Sequence, residues 1–236
     1  SAYLDGELDE GTKSAVEDHL AGCPTCPPLY AALVGVRASM EMGQWAREDC
    51  AIAAGGLRRS GLAHAVQHAR YRSVFQKHLA DQPLMQAVLS DMALHVEASV
   101  ALVMRLCRSF DRAPHDAREA AYMRLLTPAI KYWVCKSAPG FLYEAMECLG
   151  GNGYVEEGIL ARHYRESPVN AIWEGSGNVM CLDVLRALSR EADAALAVLR
   201  ELTEETRGLS GAAEAVTSIA RAFGKPDSER VARLTV

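Results

Sequence analysis

Between Leu84 and Phe110, apolar residues return at three- and four-residue steps: Met85, Leu89, Met92, Val96, Val100, Val103, Leu106 and Phe110. Only a helix gathers such a spacing onto one face, so this stretch forms a long amphipathic helix whose stripe other elements must cover. The stripe's methionines read as core fillers rather than as a cofactor box. Pro114 with Asp116 marks the next helix start, Ala117 to Lys136 continues it, and Pro139 permits a further run to Leu149. A last long helix follows from Gly177 to Arg190. Long helices joined by short connections predict an all-α fold built on a four-helix bundle.

The chain divides by pattern. Residues 1–40 form a small helical module broken at Pro27-Pro28, residues 41–50 a polar connector with Gly43 and Trp45, residues 51–190 the bundle, and residues 191–236 a helical tail. The tail is interrupted at Gly208-Leu209-Ser210-Gly211 and Gly224-Lys225-Pro226, carries no evident chemistry, and is expected to pack or make oligomer contacts. A chain of 236 residues, half of them hydrophobic, can bury one sizeable core or two modest ones. With no continuous run of about 18 apolar residues, no membrane span is expected. The acidic start lacks a basic-then-apolar leader, so a cytoplasmic location is expected. Seven cysteines, an odd number at uneven spacing, do not form a secreted disulfide framework.

Two motifs carry chemistry. Gly150-Gly151-Asn152-Gly153 is a turn through which backbone amides can approach a phosphate or a flavin edge. Downstream, Ile172-Trp173-Glu174-Gly175-Ser176-Gly177-Asn178 places one carboxylate between an apolar strip and a second glycine turn. Apolar neighbours would desolvate Glu174, which suits it to abstract a proton from a weak carbon acid.

In order and spacing, residues 138–188 resemble the C-terminal helical domain of the flavin-dependent acyl-CoA dehydrogenases, most closely their AidB-like, alkylation-response branch. The resemblance extends upstream through Arg72-Ser73-Val74-Phe75 and Gln82. It implies Glu174 as the catalytic base. It also implies FAD contacts from Arg72, Phe75, Gln82, Glu147, Gly150, Gly151, Gly153, Trp173, Ser176 and Asn178, several reaching the flavin of a neighbouring subunit. Arg72 offers a planar, permanently charged fork suited to pyrophosphate oxygens. Two positions depart from the family pattern: Gln76 stands where a Gly is usual, and Glu147 where a Gln commonly precedes the double glycine. The implied function is α,β-dehydrogenation of an acyl-CoA by a homo-oligomer. The first fifty residues cannot replace the family's N-terminal and middle domains, so weak FAD binding and poor turnover are expected of the chain alone. The family branch is known for a basic, DNA-contacting extension. Here residues 191–236 hold eight acids and six bases, which does not support DNA binding.

At the other end, His19-Leu20-Ala21-Gly22-Cys23-Pro24-Thr25-Cys26 has zinc-ligand spacing: the Cys-x-x-Cys turn and a His on the preceding helix end converge on one point. A redox dithiol is the alternative, although that context requires a preceding strand where residues 12–20 read as helix. With Ala2-Tyr3-Leu4-Asp5, the array resembles the zinc-binding anti-sigma domain, which implies His19, Cys23 and Cys26 as metal ligands and a sigma factor as partner. The family's fourth ligand falls before Ser1, leaving Asp5, water or no metal at all as the options. The second function expected is therefore a zinc-dependent, thiol-sensitive regulatory module on a helical oligomerisation body.

Overall fold

The computed structural model describes residues 9–23 and 43–223 and is helical almost throughout. The chain splits into two compact units, Ser1–Trp45 and Ala46–Val236. In the first, α1 (Glu10–Gly22) starts at Asp9, whose carboxylate accepts the Thr12 amide at 3.0 Å, a conventional N-cap.

The second unit contains α2 (Gly43–Tyr71) from Ala46 onward, a hairpin of β1 (Ser73–Val74) and β2 (Lys77–His78), and a 3-10 turn at Leu79–Asp81. There follow α3 (Pro83–Arg112), α4 (Ala117–Leu149), the single turn α5 (Gly151–Tyr154), α6 (Ile159–Asn170), α7 (Gly177–Arg190), α8 (Ala192–Glu205) and α9 (Ala212–Phe223). Asp116 caps α4 by accepting from the Arg118 amide at 2.9 Å, and Pro83 opens α3 where its missing N–H costs nothing.

α4 is the spine. Its first turns, Tyr122 and Leu125, pack on Val184 and Ala187 of α7 and on Ala195 and Val198 of α8. Its middle, Ile130, Val134 and Ala138, meets Ala51 and Ala54 of α2 and Val103, Leu106 and Phe110 of α3. Its last turns, Phe141, Leu142 and Ala145, meet Ala65, Met92, Val96 and Leu160. α2 therefore runs alongside α4 in the same direction, while α3 and α7 run against it.

Two sequence expectations change. Pro139 does not divide α4: it lies, like Pro128, inside one continuous helix. An internal proline costs about 3 kcal/mol in isolation, but buried neighbours on both sides of each proline hold the segment helical. Residues 43–50 are not a polar connector but the first turns of α2, where Cys50 and Ala51 are core. α3 holds an 18-residue window of mean hydropathy 1.5, long and apolar enough by composition to cross a bilayer. Its buried stripe of Met92, Val96, Val103, Leu106 and Phe110 is a bundle-core face, while Leu94 and Met104 stand exposed on another.

Charged groups tie the bundle internally. Arg58 is fully buried, donating to Ser99 Oγ of α3 at 2.5 Å and to the Val134 carbonyl of α4 at 2.9 Å, with its guanidinium 5.1 Å over the Trp133 ring. Burial brings its pKa down to about 10. Glu119 of α4, also buried, accepts from Arg105 at 2.8 Å and from Ser109 Oγ at 2.9 Å, both on α3. Burial alone would raise its carboxyl, but these hydrogen bonds and the charges of Arg105 and Arg108 outweigh it, leaving the pKa below the usual 4.5. A depressed carboxylate stabilises the fold above its unfolded pKa, and that contribution is lost as pH falls through the folded value. Urea unfolding followed from pH 7 into the acid range is expected to show full stability above about pH 4.5, its ordinary value, and a decline below it. Glu119→Gln should flatten that decline while lowering stability at neutral pH.

Candidate functional site

The segment after α6 is a tight descent into α7. The amides of Ile172 and Trp173 both donate to the Val169 carbonyl, at 2.9 and 3.0 Å, and the chain then turns through Glu174 at φ 54° and Gly175 at φ 110°. A left-handed conformation costs a non-glycine residue roughly 1–2 kcal/mol, so surrounding contacts must enforce it at Glu174. A side chain at Gly175 would place its Cβ 2.4 Å from Met180 Cε, on the first turns of α7.

The enforcing contacts come from beneath. Lys131, on the middle of α4 and 1% exposed, donates its Nζ to the carbonyls of Trp173 at 2.7 Å and Gly175 at 2.5 Å. Arg47 of α2 donates Nε to the Glu174 carbonyl at 3.1 Å and Nη1 to Asp183 Oδ2 of α7 at 2.6 Å. The other oxygen of Asp183 takes Arg124 of α4 at 3.1 Å. Three successive carbonyls are thus turned inward onto two cations. Burial pulls the Lys131 pKa down from its ordinary value, against the opposing influence of the nearby thiols of Cys135 and Cys50.

Above this clamp the loop is open. The Glu174 side chain is exposed, with Ile172 65% and Trp173 53% exposed beside it. The desolvated setting expected for Glu174 is therefore not created by these residues, because the apolar strip faces outward with it. Ser176 and Asn178 are exposed at the start of α7, where Ser176 occupies the N-cap position without a side-chain capping bond.

The other expected residues lie elsewhere. Arg72 follows the end of α2, exposed, with its carbonyl accepting the Leu79 amide at 2.8 Å. Phe75 is 93% exposed at the hairpin tip. Ser73 pairs with His78 and Val74 with Lys77, so Phe75 and Gln76 form a two-residue turn, both at positive φ as such a turn demands. Gln76 reaches φ 67° without the usual glycine. Gln82 occupies the N-cap position of α3 without a side-chain capping bond and donates Nε2 to the Val74 carbonyl at 3.3 Å, tying the hairpin down.

At the end of α4, Glu147 is exposed and its carbonyl accepts the Gly150 amide at 2.9 Å. The glycines there have distinct duties. Gly150 takes φ 60° with ψ −139°, a conformation closed to residues with a Cβ. Gly153 lies so close to α4 that a Cβ would sit 2.3 Å from the Met146 carbonyl oxygen. Gly150 and Gly151 are both exposed with open space where a side chain would point, and Gly151 has this without a positive φ.

The structure therefore brings the expected residues together as two groups, not one. Arg72, Phe75 and Gln82 share an end of the bundle with Gly150–Gly153, since the start of α3 packs on the end of α4. Glu174 is anchored eighteen residues back along α4, at Lys131, which is about 27 Å at 1.5 Å per residue. Along α2 the separation from Arg47 to Tyr71 is similarly about 36 Å. Sequence reasoning missed Lys131, Arg47 and Asp183. A signal existed for Lys131: it stands alone as a charge in Ala129-Ile130-Lys131-Tyr132-Trp133-Val134-Cys135, three and four residues before Val134 and Cys135 on the buried face.

In the first unit, Cys23 follows α1 and its amide donates to the His19 carbonyl at 2.9 Å, one helical turn apart. Cys26 lies outside the described residues, and among those described no cluster of three metal-ligating side chains occurs.

Residues 34–189 match the family model for the acyl-CoA dehydrogenase C-terminal domain, and residues 1–26 match a model named "Putative zinc-finger". The chain is 52% identical over 158 residues to the Escherichia coli K12 protein named "Putative acyl-CoA dehydrogenase AidB", covering 67% of this chain and 29% of that protein. It is 32% identical over 166 residues to acyl-CoA dehydrogenase family member 11 of Caenorhabditis elegans, covering 69% of this chain and 27% of the relative. Among solved structures, the Bd2924 apo form superposes with a TM-score of 0.76 at 27% identity, covering 85% of this chain and 40% of the other. C. elegans ACDH-11 in complex with C11-CoA superposes with a TM-score of 0.70 at 27% identity, covering 81% and 36%. The chain spans less than a third of the length of those two sequence relatives.

The two glycine roles are separable by mutation. Gly153→Ala is expected to destabilise the bundle by about 2–3 kcal/mol, because the obstructing atom is backbone and the clash is an overpacking. Gly151→Ala should cost well under 1 kcal/mol. Thermal unfolding of the two variants checks the difference.

Proposed function

Because this chain belongs to the acyl-CoA dehydrogenase family and carries its C-terminal helical domain, we propose that it supplies the proton-abstracting part of an acyl-CoA α,β-dehydrogenation, with Glu174 as the base. The observation that carries this reading is the loop itself: an exposed carboxylate on a backbone fixed from beneath, flanked by the exposed apolar side chains of Ile172 and Trp173. A base that must meet a thioester needs that exposure in the part that holds it. When an apolar surface covers Ile172 and Trp173, water is excluded from around Glu174 and its carboxylate oxygen becomes the better acceptor for the substrate's α-proton. A C. elegans relative solved with C11-CoA supports a thioester as the substrate class.

FAD, when bound, accepts the β-hydrogen as hydride. The residues at the far end of α4 fit such a group: the exposed guanidinium of Arg72 suits pyrophosphate, the projecting Phe75 suits a flat ring system, and Gly151 leaves its backbone approachable. Gln82 holds the hairpin that carries Arg72 and Phe75. With some 27 Å of helix between these residues and the anchor of Glu174, the two groups serve different flavins, each site being shared between subunits. Exposed Leu94 and Met104 on α3 are consistent with an oligomer that covers them.

A second reading applies to the first unit and is favoured by the zinc-finger match and by His19 and Cys23 standing one turn apart. Here residues 1–26 bind zinc through His19, Cys23 and Cys26 and capture a sigma factor in a thiol-sensitive manner.

The test is to co-express the chain with the N-terminal and middle domains of the E. coli relative and to follow flavin bleaching by acyl-CoA. Glu174→Gln is expected to slow bleaching by about 10²–10⁴-fold with FAD content unchanged in native mass spectra. Bleaching at the unsubstituted rate would remove Glu174 as the base. The same spectra should show one zinc per chain that Cys23→Ser abolishes.

A further inference from the structure

We propose that Lys131 and Arg47 are positioning residues: together they grip the backbone of Trp173, Glu174 and Gly175 by its carbonyls and so preset the direction of the Glu174 carboxylate before any ligand arrives. The proposal rests on the reading of Glu174 as the base. Nothing in the folding of a helical bundle requires an ammonium at position 131. The site is on the buried face of α4, next to Val134 and Cys135, and a linear apolar side chain would fill the same volume. What the ammonium adds is direction. Nζ takes the carbonyls of Trp173 and Gly175, which flank Glu174 on both sides, and Arg47 takes the carbonyl of Glu174 itself.

The dependence is mutual. A buried ammonium needs oxygen atoms in place of water, and here the loop carbonyls supply them. The loop in turn needs an external hold, since Glu174 sits at φ 54° and Gly175 at φ 110°. Arg47 is itself fixed, because Asp183 takes its Nη1 at 2.6 Å while Arg124 holds Asp183 from the other side at 3.1 Å. The clamp therefore joins α2, α4 and α7 at the point where the loop enters α7. The charged groups facing Lys131 are Arg47 and Glu174, with the thiols of Cys50 and Cys135 as the titratable neighbours.

Replacing the ammonium separates packing from positioning. Lys131→Met keeps the volume and removes the grip, so the bundle should unfold at a temperature within a few degrees of the unsubstituted chain. Hydrogen exchange measured on the full chain should then accelerate by about tenfold or more over residues 172–178, with exchange in α3 unchanged. Lys131→Arg should recover most of the protection. Arg47→Met, which releases the Glu174 carbonyl and one oxygen of Asp183 but leaves the other on Arg124 and both Lys131 contacts in place, should give a smaller acceleration at the same residues. In the domain-completed enzyme, Lys131→Met should lower kcat while leaving KM for the acyl-CoA nearly unchanged. Unchanged exchange over 172–178 in Lys131→Met overturns the proposal. If that variant does not fold, unchanged exchange in Arg47→Met overturns it instead. Glu174→Gln should keep the exchange pattern of the unsubstituted chain. Full activity in that variant would remove the base assignment while leaving the clamp result standing.

Discussion

An ammonium inside an apolar helix interface must find oxygen atoms to replace its water, and at Lys131 they are the carbonyls of Trp173 and Gly175. Much of the site's architecture follows from that requirement. The carbonyls turn inward, the intervening residue takes a left-handed conformation, and the Glu174 side chain is left on the outside. Arg47 closes the third carbonyl and is held by an aspartate on the helix that the loop leads into. A carboxylate on a floppy connection between α6 and α7 would start from many backbone positions; on the proposed reading, a backbone held at three successive oxygens fixes the direction in which the Glu174 side chain leaves the chain. Catalysis benefits from such preorganisation because the orientation is settled before substrate arrives.

The length of α4 governs the second half of the account. One end carries the glycine turn beside the hairpin of Arg72 and Phe75, while Lys131 near the middle carries the loop of Glu174. A rigid helix keeps these groups apart, so on the proposed reading one chain presents two partial surfaces rather than one complete site. Each surface is exposed where a ligand or another polypeptide would lie: Phe75 at the hairpin, Gly151 at the turn, Trp173 and Ile172 at the loop. Exposure of large apolar groups in two separated places is what a domain looks like when its sites are completed by other parts.

The sequence disclosed the helices with the clearest apolar period, the boundaries of α7, the two tail helices and the helix start at Asp116. It also disclosed Glu174 and the glycine turn as unusual. What it concealed has physical causes. Pro139 reads as a break because local propensity carries no information about packing on all sides of α4. Residues 43–50 look polar, yet Arg47 and Glu48 are buried, and only the tertiary partners Asp183 and the Glu174 carbonyl explain Arg47. α6 was hidden by its own Pro168 and weakly apolar composition. The glycines looked alike, whereas Gly153 answers to the Met146 carbonyl and Gly151 to open space. Apolar neighbours of Glu174 implied burial, but adjacency in sequence at a left-handed turn projects side chains outward together. The turn at Gln76 shows the converse case, a residue that the family pattern disfavours and that still adopts φ 67° between paired strands.

The central claim is that the two surfaces of one chain belong to different active sites. Intersubunit complementation in the domain-completed enzyme tests it directly. Glu174→Gln and Arg72→Ala are prepared separately, each inactive, then dissociated, mixed and reassociated. If each site takes Glu174 from one chain and Arg72 from another, a mixed pair rebuilds one intact site, and randomly mixed dimers recover roughly a quarter of the unsubstituted flavin-bleaching rate. A mixture no more active than either parent would place both residues in the same site and contradict the account.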